Sequence, residues 1–140
     1  MIATRWLWHW LLTLMTTNTA LLYLTLLLIK HSVADLMLQG RIPGGDTAKL
    51  PLFSYKNFIH SCDHAGLGFL VTVPFAGLEL AALLALAEFA CHYVIDHVKS
   101  RIRFAMGWST ADRVFWHLQG LDQIAHTLWY AAMAYVVVNC

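Results

Sequence analysis

Charge is what this chain has least of: Asp, Glu, Lys and Arg make up 12% of its 140 residues, about half the share of a soluble globular domain. So few charges cannot cover a water-facing surface. With 59% apolar residues and a mean hydropathy of +0.60, the sequence excludes an ordinary soluble domain, and with it disorder, collagen and coiled coil. Cysteine is also scarce. Cys62, Cys91 and Cys140 form an odd set without CxxC spacing, which argues against a disulfide framework and against a thiolate metal site. The net charge is +1 and the basic residues are scattered, so no stripe exists to neutralise a run of phosphates and nucleic acid is not an expected partner. There is no GxSxG, no P-loop and no Ser/His/Asp triad that can be assembled, and Gly44-Gly45 after Pro43 is a turn.

What the sequence does have is long apolar runs. About 20 such residues cross the hydrocarbon of a bilayer as a helix, and four stretches qualify, at roughly 19–39, 57–75, 78–99 and 114–138. Segments 40–56 and 100–113 hold turn residues and charges and are loops, whereas Pro74 to Gly77 makes a tight turn between the second and third stretches. These features predict an all-α fold, a single membrane domain over 1–140 built as an integral-membrane four-helix bundle. Residues 1–18, with Trp6, Trp8 and Trp10, read as an interfacial helix anchored by aromatics; a signal peptide and a long first span over 6–29 are the alternatives. Arg41, Lys49 and Lys56 lie in the first loop and Lys99, Arg101, Arg103 and Arg113 in or beside the last. By the positive-inside rule both basic loops are cytoplasmic, in a bacterial inner membrane, and both termini lie opposite.

Eight histidines against eight carboxylates are the anomaly, because ionisable groups are costly in a bilayer and usually mark function there. They come in pairs of one spacing: His31 with Asp35, His60 with His64, His92 with Asp96, Asp122 with His126. An i,i+4 pair puts two side chains on one helix face, about 5–6 Å apart at Cβ, where two ligands can converge on one metal ion. At 1.5 Å per residue every pair lies within about 20 Å of a basic loop residue, so all four reach one polar pocket in the cytoplasmic half. Glu88 is a further i,i+4 neighbour of His92. The 61-residue offset between His31/Asp35 and His92/Asp96 raises the alternative of two duplicated helical hairpins. A lone His, or one His/Asp pair, is more often a structural hydrogen-bonding group than a ligand; four pairs at one spacing and depth favour a shared site. His9 belongs with the interfacial tryptophans, and His97 and His117 sit at solvated span ends. Lys30 either neutralises a carboxylate in the pocket or marks the end of the first span.

HSVADLMLQ (31–39), FIHSCDHAGLGFL (58–70), HYVIDHVKSR (92–101) and LDQIAHTL (121–128) resemble the ordered motifs HxxxDxxLQ, a middle His, HxxxDxxK and DQxxH of a domain-of-unknown-function family of small polytopic membrane proteins from bacteria and phages. Over about 20–138 the chain is similar to that family, and in its His/Asp pattern it is also similar to membrane-bound metal-dependent hydrolases. The resemblance implies His31, Asp35, His64, His92, Asp96, Asp122 and His126 as ligands, with Gln39, Lys99 and Gln123 as supporting or substrate-contacting groups; His60 lies outside the motifs.

The expected function is a metal-dependent hydrolase acting on a lipid-linked or amphipathic substrate at the cytoplasmic leaflet, with membrane lipid as partner. Candidate ligands are His31, Asp35, His60, His64, His92, Asp96, Asp122 and His126, holding one or two divalent ions, zinc first, with iron or manganese as alternatives. Asp122 or Glu88 would serve as general base and Lys99 would contact an anionic headgroup. A non-catalytic membrane protein with a structural His/Asp cluster, and a proton or metal-ion carrier, stay open; so does assembly into oligomers.

Overall fold

Leucine and alanine favour helix, and they dominate the runs that fold here. The computed structural model describes the backbone of residues 2–41 and 53–140, with side chains for 16–40 and 53–140. It is all-helical among those residues. Helix α1 spans Ile2–Val33 and continues through a π-helical turn, Ala34–Leu38, into a 3-10 turn, Gln39–Arg41. Helix α2 spans Tyr55–Met106 and α3 spans Arg113–Asn139.

Two expectations change. The separate helix over 1–18 merges into α1, because the polar run Thr16 to Thr19 does not break the helix. The expected four helices are three, because 57–75 and 78–99 belong to one 52-residue element. Within α2, however, Gly77 departs from helical geometry at φ 75, ψ 175, a conformation that glycine reaches without a Cβ clash. Pro74, one turn earlier, has no N–H to give the helix. Around this break α2 folds back on itself: the His64 and His92 rings stack with centroids 3.6 Å apart, whereas a straight helix would separate them by about 42 Å. Asn57 Nδ2 donates to the Tyr93 carbonyl at 3.0 Å, and Ser54, which caps α2 by accepting from the Asn57 N–H, donates its own N–H to the Tyr93 hydroxyl at 3.1 Å. The arms 55–76 and 78–106 therefore lie side by side, with α1 and α3 packed against them.

The interior has two zones. Tyr23, Leu27, Leu84, Tyr130, Met133 and Ala134 form the apolar one, with Phe75 against Tyr23. The other zone, towards the ends of the arms remote from Gly77, is polar. Every buried side-chain-bearing residue of the first arm is polar: Asn57, His60, Ser61, His64 and Thr72. Outside, Leu21, Leu22, Ile29, Leu70, Leu83, Leu86 and Leu128 are each more than half exposed. This inverts the arrangement of a protein folded in water.

Two segments, Thr16–Leu38 and Tyr55–Met106, are long and apolar enough to cross a membrane among the described residues. The expected span 114–138 is helical but is not one of them, since His117, Gln119, Asp122, Gln123 and His126 dilute its apolar character. Lys49 and the Pro43-Gly44-Gly45 turn, and the side chains of Trp6, Trp8, His9, Trp10 and Arg41, lie outside the described residues. The two proposed repeats differ locally, for Asp35 sits in a π-helical turn and Asp96 in regular α-helix.

Candidate metal centre

Each helix brings one stripe of polar residues to a common axis. From α1 come Lys30, His31 and Asp35; from the first arm of α2, His60 and His64; from the second, Glu88, His92, Asp96 and Lys99; from α3, Asp122, Gln123, His126 and Tyr130. The i,i+4 rhythm of the sequence is the cause, because residues four apart stand one above another on a helix face.

Asp35 is the hub of one half. Its Oδ1 lies 3.2 Å from His60 Nε2 and accepts from His64 Nε2 at 3.1 Å, and its Oδ2 lies 3.3 Å from His31 Nε2. The π-helical turn that carries Asp35 is an uncommon geometry that recurs at functional sites. Asp96 is the hub of the other half, with Oδ2 3.4 Å from His92 Nε2 and 3.7 Å from His60 Nε2, and Oδ1 3.8 Å from His126 Nε2. Lys99 Nζ donates to Asp96 Oδ1 at 2.8 Å and to Asp122 Oδ2 at 3.0 Å. The His92 ring stands between the halves, 3.6 Å from His64 and 4.3 Å from His126 by centroid.

Three overlapping groups of donor atoms result, each with all members within 4.8 Å of one another: Asp35, His60, His64 and His92; His31, His92 and His126; Asp96, Asp122 and His126. All eight ligand candidates from the sequence fall in these groups, including His60. Several buried side-chain atoms of the cluster residues have no hydrogen-bond partner, among them His60 Nδ1, His64 Nδ1, both nitrogens of His92, His126 Nδ1 and Asp122 Oδ1. Buried nitrogens without partners are costly. A neutral imidazole keeps one lone pair, which is what a divalent ion takes up, so the donor set suits such an ion.

Of the proposed catalytic groups, Asp122 lies in the cluster and Lys99 at its edge, where it holds two carboxylates. Glu88 does not join a donor group. It sits one turn away, fully buried, paired with Lys30, whose ammonium also donates to the His64 carbonyl at 3.2 Å and lies 4.6 Å over the Tyr130 ring. Gly68 leaves room for Glu88, since a Cβ there would collide with the carboxylate. Lys30 thus neutralises a carboxylate, the first of the two roles expected for it. His97 stacks on Tyr93, and neither His97 nor the exposed His117 enters the groups.

Tyr130 was not singled out from sequence. Its hydroxyl hydrogen-bonds His31 Nδ1 at 3.0 Å while Gln123 Oε1 lies 3.3 Å from His31 Nε2, so the two residues fix that ring. The signal was present, because Tyr130 extends the Asp122–His126 stripe by one more step of four.

A family model described as protein of unknown function (DUF3307) matches residues 23–140. The chain belongs to the DUF3307 family. The match covers α1 from Tyr23, both arms of α2 and all of α3, and therefore every residue of the cluster. Membership of DUF3307 brings no activity, metal or phage link with it, and the likeness to membrane-bound metal-dependent hydrolases rests on the His/Asp pattern alone. No curated protein and no solved structure matched the chain.

Proposed function

We propose that the chain is an integral-membrane protein that holds a divalent metal in the His/Asp cluster and uses it to hydrolyse a lipid-linked or amphipathic substrate at the cytoplasmic leaflet. Charge balance carries this reading. Among the described ion pairs of the interior, four carboxylates (Asp35, Glu88, Asp96, Asp122) face two ammonium groups (Lys30, Lys99). Metal ligation requires neutral imidazoles, and with them neutral these pairs leave two negative charges, which one divalent cation would balance. An uncompensated buried charge costs several kcal/mol, which favours a cation in the cluster, and its mixed N/O donors suit zinc, iron or manganese.

A metal held there would acidify a bound water and polarise a carbonyl or phosphoryl oxygen. The chain's own residues supply the rest. Asp35 and Asp96 orient the histidine rings, Tyr130 and Gln123 fix His31, and Asp122 Oδ1, which faces His126 Nε2 at 3.6 Å, is the candidate general base. Glu88, occupied by Lys30, is the weaker candidate. The apolar exterior and the two membrane-length segments support placement in a bilayer, and Lys99, Arg101, Arg103 and Arg113 at one end support a cytoplasmic face there.

Elemental analysis of the detergent-purified protein tests the metal. We expect at least one divalent ion per chain, lost in Asp35→Ala and Asp96→Ala but retained in Lys99→Gln, which loses turnover instead. Absence of stoichiometric metal after loading with zinc, iron or manganese, or full retention by Asp96→Ala, would favour a structural network. Lys30 and Lys99 lend that second reading its support, since they already neutralise part of the interior.

A further inference from the structure

Next to the cluster, where α2 hands over to α3, lies a cavity of about 190 Å³ lined by Lys99, Ser100, Arg103, Phe115, Leu118 and Gln119. Lys99 and Arg103 are four apart on α2, so two cationic side chains share one wall. Ser100 and Gln119 add neutral hydrogen-bonding groups, and among the described residues no carboxylate lines the space. Phe115 and Leu118, one turn apart on α3, make the opposite wall apolar. Such a lining selects an anion that carries an apolar portion. At about 30 Å³ per water, the volume admits a phosphoryl group and a short stem, and longer chains must extend beyond it. Guanidinium and ammonium groups are the usual partners of phosphoryl oxygens. Lys99 is also the partition between this cavity and the cluster, through its bonds to Asp96 and Asp122.

We propose that this cavity binds the phosphoryl group of an amphiphile, with Lys99 and Arg103 as its cationic contacts and Phe115 and Leu118 against its apolar portion. The inference deepens the hydrolase reading by naming the substrate class; it rests on that reading for the reaction but not for binding.

Binding to the full-length protein in micelles, without turnover, is the test. The probes are dihexanoyl phosphatidate, dihexanoylglycerol and inorganic phosphate, titrated with and without added zinc and followed by phosphorus NMR or calorimetry. Phosphatidate should bind, dihexanoylglycerol should not, and inorganic phosphate should bind more weakly because it lacks the apolar portion. Arg103→Gln should weaken phosphatidate binding by about tenfold or more, through loss of a charge-assisted hydrogen bond, with Arg103→Lys intermediate and Arg101→Gln, outside the cavity, close to wild type. Unchanged affinity in both Arg103 variants, or equal binding of dihexanoylglycerol, overturns the proposal; equal binding of inorganic phosphate overturns its amphiphile half in favour of free phosphate. A protein that binds phosphatidate but holds no metal rejects the hydrolase reading alone, and one that holds metal but binds none of the probes rejects this inference alone.

Discussion

Lys30 and Glu88 form an ion pair with almost no access to solvent, and such a pair is far more costly to break than to omit. Lys30→Ala should destabilise the protein by about 3–5 kcal/mol, because Glu88 is left buried and uncompensated. Lys30→Met combined with Glu88→Leu should recover most of that loss. Unfolding in detergent measures both, and a single variant as stable as wild type would show that Glu88 is neutralised by some other group. At this scale much of the cluster was legible, since i,i+4 spacing translates directly into a shared helix face: His31 with Asp35, and Asp122 with His126. What spacing did not give was partnership across helices. That Asp35 meets His60, that Lys30 meets Glu88 and that Tyr130 steadies His31 depend on the register between helices, which one sequence does not encode locally.

Between α2 and α3 the chain turns through residues 107–112, and Asp112 organises that turn. Its Oδ2 accepts from the Ser109 backbone N–H at 2.8 Å and from the Ser109 hydroxyl at 3.0 Å, which holds its carboxyl below the ordinary value. The sign follows from that depression. The bonds stabilise the turn above the unfolded carboxyl value, and their contribution is lost as pH falls through the lower folded value. We expect carboxyl NMR titration of Asp112 to show a midpoint below that of a model peptide, moved only part of the way back in Ser109→Ala, which loses the hydroxyl donor and keeps the backbone N–H; an unshifted midpoint would mean that the turn is held by other contacts. Among the elements, Pro74 and Gly77 announced the fold-back in α2, because both disrupt helix for reasons intrinsic to the residue. The join between residues 18 and 19 was misread, as threonine and asparagine weaken a helix without ending it. The π-helical turn at Asp35 left no mark in the hydropathy pattern.

Taken whole, the molecule hides polar groups and displays apolar ones, and the proposed bilayer placement with its basic ends cytoplasmic predicts a defined sidedness. In a chain carrying Cys62→Ser and Cys91→Ser, a membrane-impermeant maleimide should label Cys140 from the outside of intact spheroplasts. Ser109→Cys, with Cys140 removed, should be labelled only in inverted vesicles. Labelling of both from the same side would remove the proposed orientation, since α3 lies between these two positions. In the proposed bilayer placement, the break at Gly77 bears on how the two arms insert. Its two arms meet through one glycine, and from Val73 to Leu80 the sequence carries a single charged residue, Glu79. A hairpin so tipped has almost no hydrophilic turn to drag through hydrocarbon, so both arms can enter together from the side on which they are synthesised, with one carboxyl group as the barrier at the tip.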